Sequence, residues 1–465
     1  MLVGYDVEKN TSPISPRLPS HVHASSAGLV PRCDAGLSPV SKSVTPGVVT
    51  SASSLTSDVV SVTGAATVAG ASATNPTVSA ILNPAPLDAT KSVTKTLLRA
   101  GLNPGDQVGF WFAVSSDSLT AFVGAQGNST NPGYVYVYTR SSTRSSLVYS
   151  STIVAPASDN SKYFGYNFFL SGDDQKIFIT AMASDITTGL LYQSRRLSSG
   201  SYSTPKIIVT ASTEMDSGIS NKDGTVLFLG SATWNNNTGR VSLAKRTGGD
   251  DRWTTTQIAT GNTINCGFGA AMTGSADLST IIVTAPLEAT SRGVIYQLVQ
   301  SGNSWLANRI AGAVDIYSYA GWSVDATPDG SRFAIGMSGG DGSTWLFYRN
   351  ASTVSGWSFS LLGRGVYRGD QMGQSVAISN DGNTVLSGAP NGYNATQPGY
   401  AMAYNVGRGK SAIVAVGQQG LDGFGYSLAM NGAGDFALVD AVTWNVYSGK
   451  AYALRALKPF SAVLE

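Results

Sequence analysis

The chain has little of the chemistry on which most metal and catalytic sites depend. Its 465 residues include only two cysteines, Cys33 and Cys266, and two histidines, His21 and His23. Two distant cysteines supply neither a disulfide framework nor a Cys-x-x-Cys metal site. We expect two buried thiols, and a pairing of Cys33 with Cys266 stays open. A His-x-His pair needs further ligands, which no second cluster supplies, so we predict no metal and no cofactor.

Charge is scarce as well. Asp, Glu, Lys and Arg make up 12% of the chain, and the formal net charge is +2. This balance leaves no electrostatic footprint for nucleic acid. No apolar run approaches the length of about 18 residues that a membrane-spanning helix requires. The first residues, "MLVGYDVEKN", place charges where a secretory signal has its apolar core, so we expect no standard signal peptide.

Catalytic residue types are equally sparse. From residue 93 onward the glutamates are Glu214, Glu288 and Glu465. Glu214 and Glu288 fall in predicted loops, where we expect them to be solvated. This region has no histidine for serine hydrolase chemistry and no Gly-x-x-x-x-Gly-Lys-Ser/Thr phosphate loop. We therefore predict that the protein is not an enzyme.

Residues 1–92 differ in composition from the rest. They are rich in Ser, Thr, Ala and Val with scattered Pro, and they have too few large side chains to build a core. Their Val and Thr content favours extended structure that could add strands to a partner surface. We predict an extended arm that anchors the protein to other proteins of a large assembly.

The rest of the chain, residues 93–465, is built of repeats. A glycine precedes the first predicted strand of each copy, and successive glycines are 56, 53, 51, 52, 52 and 52 residues apart. These glycines are Gly109, Gly165, Gly218, Gly269, Gly321, Gly373 and Gly425. Seven copies with a steady period of about 52 residues indicate a repeat architecture.

Each copy predicts four short strands. In the sixth copy, "QSVAIS", "TVLSGA", "YAMAYNV" and "SAIVAVG" alternate apolar and polar residues and are separated by turn signals such as "NDGN". Seven four-stranded units favour an all-β fold, a seven-bladed β-propeller. The chain ends soon after a third strand, while residues 93–99 match a fourth strand. We predict that residues 93–99 complete the last blade and close the ring.

The repeat "FG-x-S-V/L … DG-x-T … GAP … G-x-x-x-x-Y" is best preserved at Phe424–Leu428 and Gly373–Tyr404. It resembles the FG-GAP repeats that build the propeller of integrin α-subunits. The resemblance covers residues 93–465 and implies ligand binding by the loops of one face rather than chemistry in a pocket. Many FG-GAP blades also carry Asp-x-Asp-x-Asp-Gly calcium loops. The nearest stretches in this chain, "SGDDQK" and "SNDGNT", offer one or two carboxylates each, and we predict no structural calcium.

Loop aromatics beside asparagine are typical of protein and glycan contact surfaces. They occur between the second and third strands of three copies, in "TWNNNTG", "NGYNATQ" and "VTWNVYSG". The alternative is that each aromatic caps its own blade. The candidate binding residues are Trp234, Asn236, Tyr393, Asn394 and Trp444.

An Arg-Gly-Asp sequence, which adhesion receptors recognise, occurs at Arg368–Asp370. The first copy has the same Gly-Asp-Gln at Gly105–Gln107, and only Arg368 is added in the sixth. We therefore interpret the tripeptide as part of the repeat.

These observations favour a non-enzymatic structural or interaction protein. The arm and the missing signal peptide suggest a component of a large extracellular assembly, such as a virion surface, capsid or spike protein. The arm would anchor it, and the propeller face would contact neighbours or a host receptor or glycan during host attachment. The alternative is a cell-surface adhesion or carbohydrate-binding propeller, and a third hypothesis is a sialidase-like glycosidase.

Overall fold

The computed structural model describes residues 87–90, 92–128, 130–249, 252–312, 317–390 and 397–457. These residues form seven sheets, each with four antiparallel strands, and one sheet has an added fifth strand that pairs parallel. The sheets are the blades of a ring, which we number from 1 to 7 in the order of their first strands. The all-β, seven-bladed propeller predicted from the repeat is confirmed.

Each blade extends from an innermost strand to an outermost strand, and the ranges follow the order of blades 1 to 7. The innermost strands are Val108–Val114, Phe168–Leu170, Ser217–Ser220, Met272–Gly274, Ala320–Ala326, Ser375–Ile378 and Phe424–Met430. The second strands are Thr120–Ala125, Lys176–Met182, Val226–Ser231, Ile281–Ala285, Arg332–Met337, Thr384–Ala389 and Phe436–Ala441. The third strands are Tyr134–Thr139, Gly189–Arg195, Arg240–Arg246, Val294–Ser301, Ser343–Arg349, Tyr400–Asn405 and Lys450–Arg455. The outermost strands are Val148–Ile153, Lys206–Ala211, Trp253–Thr260, Ser304–Gly312, Trp357–Arg364, Lys410–Val416 and, in blade 7, Thr94–Ala100.

The hydrophobic core lies between blades. Second strands such as Thr120–Ala125 and Thr384–Ala389 are buried at every residue, because both of their faces meet a neighbouring blade. Between blades 1 and 2, for example, Phe122 packs in one cluster with Ile177 and Tyr192. The buried side chains therefore stabilise the contact between neighbouring blades as well as each blade.

The Phe-Gly pair of the repeat has a packing role within its blade. The phenylalanine meets a tyrosine of the third strand edge-on or at a tilt, which is a favourable geometry for aromatic pairs. The ring centroids are 5.3 Å apart for Phe164 and Tyr192 and 5.7 Å apart for Phe424 and Tyr452. In these two blades the phenylalanine of the Phe-Gly pair therefore packs on the third strand of its own blade.

The glycine of the pair allows close approach between consecutive blades. Gly373 has a φ of 87°, which favours glycine, and its amide donates to the carbonyl of Gly388 at 3.0 Å. Its own carbonyl lies against Gly336 in the preceding blade, where a Cβ would overlap the oxygen. The same approach recurs between Gly388 and Gly425. The glycine of Gly-Ala and the glycine of Phe-Gly therefore fit together across a blade boundary.

Blade 3 departs from the predicted alignment. In blade 6 the amide of the repeat glycine, Gly373, donates to the carbonyl of Gly388 in the second strand. In blade 3 the equivalent hydrogen bond runs from the Asp216 amide to the Gly230 carbonyl, at 2.9 Å. Asp216 therefore occupies the place of the repeat glycine, and the assignment of Gly218 to it is wrong by two residues. Gly218 lies inside the first strand, where a Cβ would overlap the ring of Phe169. The residue before Asp216 is Met215, so this blade has neither member of the Phe-Gly pair.

The strand that joins the two ends of the ring is Thr94–Ala100, which pairs antiparallel with Lys450–Arg455. The segment predicted for this role, residues 93–99, coincides with it to within one residue. Arg99 also reaches across to blade 1, where its guanidinium lies 3.8 Å from the ring centroid of Tyr136. Before this strand, Leu87–Asp88 pairs parallel with Lys410–Val416 and adds the fifth strand to blade 6.

Cys266 is buried and free, and its thiol donates to the carbonyl of Thr238 at 2.9 Å. Cys33 lies outside the described residues, as do His21, His23 and the rest of the predicted arm before residue 87. In the part of the chain that the structure describes, no helix is long and apolar enough to cross a membrane.

Candidate functional site: the upper face of the propeller

Two sets of loops share one face of the ring, which we call the upper face. They are the loops between the second and third strands and the loops that lead from one blade to the next. Backbone hydrogen bonds join them: the Gly267 amide donates to the Asn237 carbonyl at 2.8 Å, and the Gln107 amide donates to the Tyr447 carbonyl at 2.9 Å. Each inter-blade loop is thus fastened to the blade that it leaves, and the face is a continuous belt of loops.

Three of these loops contain one turn of left-handed helix. In blade 7, Asn445, Val446 and Tyr447 have φ values of 47°, 58° and 61°. Blade 3 has the same turn at Asn235–Asn237, and blade 4 has it at Ala289–Ser291. The left-handed conformation costs roughly 1–2 kcal/mol per L-residue, and it is unusual for a β-branched side chain such as valine. Strain of this kind persists where the surrounding structure holds it, and it often marks functional positions.

The two described tryptophans among the predicted binding residues begin equivalent turns. The Arg240 guanidinium lies 5.2 Å from the ring centroid of Trp234, and the Lys450 ammonium lies 3.7 Å from that of Trp444. Both rings are half-buried, and Trp444 packs against the core between blades 6 and 7. Each ring therefore has one face in contact with a cation of its own blade. This contact favours the alternative that each tryptophan caps its own blade.

The other predicted binding residues have different outcomes. Asn236 is exposed at the tip of the blade 3 turn, and its carbonyl accepts a hydrogen bond from the Asn265 amide at 3.1 Å. Tyr393 and Asn394 lie outside the described residues. The structure places Trp234, Asn236 and Trp444 on the upper face, but in two separate blades.

The upper face exposes large apolar side chains that the sequence analysis did not single out. Among the described residues, ten exposed large hydrophobic residues lie in or at the start of upper-face loops, and two, Leu197 and Val354, lie in loops of the opposite face. The upper-face residues are Leu102, Val154, Ile186, Ile264, Tyr317, Val366, Tyr367, Leu421, Val446 and Tyr447. The two faces of the ring therefore differ strongly in apolar exposure.

Four of these side chains belong to loops that are bonded to one another, and we call them the blade 7 patch. They are Leu102, Leu421, Val446 and Tyr447, with exposed fractions of 84, 49, 69 and 52%. The Val446 carbonyl accepts a hydrogen bond from the Gly105 amide at 3.2 Å, and the Thr443 hydroxyl donates to the Leu421 carbonyl at 2.6 Å. A comparison of "TWNNNTG" with "TWNVYSG" could have signalled the patch, because Val-Tyr replaces Asn-Asn at the tip of the same turn.

A pair of carboxyl groups lies where the chain enters blade 3. Asp216 is buried, and its carboxylate accepts hydrogen bonds from the Ala232 amide at 2.7 Å and the Tyr166 hydroxyl at 3.4 Å. Burial raises the pKa of both Glu214 and Asp216, and the nearby Asp216 raises the pKa of Glu214 further. The expectation that Glu214 is a solvated loop residue is therefore wrong, because Glu214 is half-buried next to the buried Met215 and Asp216. Glu288 lies half-buried on the upper face, and its carboxylate accepts a hydrogen bond from the Tyr296 hydroxyl.

The Arg-Gly-Asp sequence does not present its carboxylate. Asp370 is fully buried, and Tyr400 and the Tyr367 amide donate hydrogen bonds to its Oδ2. Of the two side chains in the tripeptide, that of Arg368 is exposed to solvent and that of Asp370 is not. A receptor that binds the aspartate of this tripeptide has no access to it in the folded blade.

The aspartates of the two calcium-like stretches close their own hairpins. Asp381 accepts hydrogen bonds from the Ser379 hydroxyl at 2.5 Å and the Asn383 amide at 3.0 Å, and Asp173 accepts the equivalent bonds in blade 2. Across the described ranges, no group of three or more His, Cys, Asp or Glu residues is placed to hold a metal ion.

Comparisons with known proteins identify no family. No protein-family model matches the sequence, and no curated protein matches it either. A crystal structure of a candidate 6-phosphogluconolactonase from Bacteroides uniformis is similar to this chain, with 10% identity and a TM-score of 0.47. The similarity covers 66% of this chain and 88% of that one. The blades and the loop belt define the chain as a seven-bladed propeller with an apolar upper face.

Proposed function

We propose that the protein is a non-enzymatic interaction module that binds a protein partner through the upper face of its propeller, with the blade 7 patch at the centre. The observation that carries this proposal is the uneven exposure of apolar side chains, ten on the upper face against two on the opposite face among the described residues. Exposed apolar clusters rimmed by polar residues are typical of protein-binding surfaces.

The conformation of the blade 7 turn supports the same proposal. The left-handed turn holds Val446 and Tyr447 outward, with more than half of each side chain exposed. Burial of these side chains would stabilise a complex by about 25 cal/mol per Å² of apolar surface. Tyrosine is also a frequent energetic centre of interfaces, because it combines a large apolar ring with a hydroxyl.

The partner-binding role is tested by sedimentation of the protein in extracts of its native source. We expect the native protein to sediment with a larger partner, and a smaller fraction of Val446→Asp to sediment with it. The matched control is Val354→Asp, since Val354 is an exposed valine in a loop of the opposite face. Equal sedimentation of the two variants, or free native protein, would refute the proposal.

The finer proposal concerns the assembly. Residues 1–92 would anchor the protein in a virion or similar extracellular particle, and the upper face would contact neighbouring subunits or a host receptor. Support comes from the composition of the arm, which is rich in Ser, Thr, Ala and Val and poor in large side chains. Removal of residues 1–86 leaves the strand at Leu87–Asp88 in place. We expect the shortened protein to stay in the supernatant while the intact protein pellets with particles, and pelleting of both forms would contradict the anchor.

The absence of catalysis is part of the proposal. The carboxyl pair of Glu214 and Asp216 is the arrangement closest to acid–base chemistry that we identify, but the contacts of Asp216 are with groups of the protein itself. A panel of fluorogenic glycosides tests the glycosidase hypothesis, and turnover that is lost in Glu214→Gln would overturn our view. Specific binding of neutral glycans by Trp234 or Trp444 would instead favour a carbohydrate-binding propeller.

A further inference from the structure

A repeated position of the third strand is filled by a large side chain in six blades and by serine in blade 3. The pairing of the second and third strands defines this position. Its partner in the second strand is the residue directly before the one that meets the next blade. Examples are Ser242, which pairs with Leu229, and Tyr296, which pairs with Val283. Its occupants in blades 1 to 7 are Tyr136, Tyr192, Ser242, Tyr296, Trp345, Met402 and Tyr452.

These large side chains fill the gap toward the preceding blade. Tyr192 packs with Phe122 of blade 1, and Met402 packs with Leu346 of blade 5. Between blades 2 and 3 the small Ser242 leaves a cavity of about 270 Å³, lined from one side by Ser212 and from the other by Ser242 and Arg240. At about 30 Å³ of liquid volume per water, this is the space of about nine water molecules, the scale of one sugar ring.

Arg240 gives the cavity a positive charge that has no negative partner among the residues the structure describes. Its Nε is buried with no hydrogen-bond acceptor, and its Nη2 donates only to the Ser212 hydroxyl at 3.3 Å. Burial lowers the pKa of the guanidinium, and no carboxylate opposes this shift. Trp234, on which the guanidinium lies, holds the charged group in place.

The rest of the lining is uncharged and mostly polar, with apolar contacts from Val209, Ala211, Met215 and Leu229. Besides Ser212 and Ser242 it includes Thr210, Ser231, Thr255 and Gln257, all of which can donate and accept hydrogen bonds. One guanidinium matches one planar carboxylate, and a set of hydroxyl and amide groups matches a polyol. A phosphate with two charges would find only one cation here.

We propose that the cavity between blades 2 and 3 is a binding site for a monosaccharide that carries one carboxylate, with Arg240 as the carboxylate-binding residue. The site is separate from the blade 7 patch, and it lies where blade 3 has Ser242 at the position that a large side chain fills in the other blades.

The test is isothermal titration of the full-length protein with glucuronate, and with glucose and inorganic phosphate as comparisons. We expect saturable glucuronate binding, at least tenfold weaker binding of glucose and phosphate, and at least a tenfold loss of glucuronate affinity in Arg240→Met. Ser242→Tyr should abolish binding and still fold, because four other blades have tyrosine at this position. Ser242→Ala, which keeps the space, should bind.

A matched control is Arg349→Met. Arg349 also lies over a tryptophan, 4.1 Å from the ring centroid of Trp357, but belongs to blade 5, so its loss should leave glucuronate affinity unchanged. Undiminished binding by Ser242→Tyr, equal affinity for glucose, equal affinity for phosphate, or no saturable glucuronate binding would each overturn the proposal. Thermal melting of every variant separates lost binding from lost folding.

Discussion

The hydroxyl of Tyr400 donates a hydrogen bond to the carboxylate of Asp370, and this contact turns the acid of the Arg-Gly-Asp sequence into the blade. The same hydroxyl accepts the Val366 amide at 2.9 Å, and the Tyr367 amide donates to Asp370 at 2.6 Å. The aspartate therefore ties the inter-blade loop to the third strand of blade 6. In the first repeat, Asp106 similarly accepts the amides of Leu102 and Asn103 at 2.9 Å.

Replacement of Asp370 tests this structural role. Asp370→Glu should lower the free energy of unfolding by about 1–3 kcal/mol, because the longer side chain cannot keep these buried hydrogen bonds. Chemical denaturation measures the change, and Arg368→Ala, at an exposed neighbour, should be nearly neutral. Loss of cell attachment in Asp370→Glu at unchanged stability would show that the tripeptide is an adhesion motif after all.

The blade count and the four-strand pattern could be predicted because the repeat is local and periodic. Turn glycines and alternating strands recur about every 52 residues, and each copy repeats the same physical solution. The misplacement of Gly218 shows the limit. In "MDSGIS" the only glycine, Gly218, lies two residues after the repeat position. The hydrogen bond from the Asp216 amide to the second strand shows that Asp216 occupies this position.

Close approach at the blade boundaries predicts an intolerance to side chains. Gly336→Ala should destabilise the protein by about 1–3 kcal/mol, because its Cβ would overlap the Gly373 carbonyl of the next blade. Gly249→Ala is the control, since a Cβ there meets nothing within 4 Å. Thermal unfolding compares the two, and equal melting temperatures would show that the neighbouring backbone yields without cost.

The candidate surface was harder to predict than the fold. The sequence drew attention to Trp234 and Trp444, whose rings lie against cations of their own blades. The exposed neighbours Val446 and Tyr447 carry no motif, and their outward direction depends on three consecutive left-handed residues. The half-buried Glu214 was missed for a similar reason, since its partial burial depends on tertiary packing around a loop.

The carboxyl pair at blade 3 predicts a pH dependence of stability. Because the pKa values of Glu214 and Asp216 are raised in the folded protein, the folded state keeps protons that the unfolded state has released. The contribution of this pair to stability is therefore fully present below the ordinary carboxyl range near pH 4, and it is lost as the pH rises through the raised values.

Glu214→Gln should flatten this decline and make the protein more stable than the native form at pH 9, by on the order of 1–3 kcal/mol. Denaturant unfolding at several pH values between 5 and 9 measures the slope. Asp277→Asn is the control, because Asp277 lies in a hairpin turn where hydrogen bonds from Ser275 and Ser279 lower its pKa to about 2, so it does not titrate in this range. Identical slopes for Glu214→Gln and the native protein would mean that the pair is ionised in the fold.

Closure of the ring predicts a sharp boundary for shortening the chain from its N-terminus. Removal of residues 1–86 keeps Thr94–Ala100, whose pairing with Lys450–Arg455 joins the two ends, so the melting temperature should change little. Removal of residues 1–100 leaves blade 7 without its outermost strand, Thr94–Ala100, which we call the closure strand. It also exposes buried side chains such as Tyr138, whose hydroxyl donates to the Leu98 carbonyl in that strand. Blade packing is shared between neighbours, so the open ring should unfold at least ~10 °C earlier and bind more of a hydrophobic dye. Similar melting of both shortened forms would show that the closure strand does not stabilise the ring.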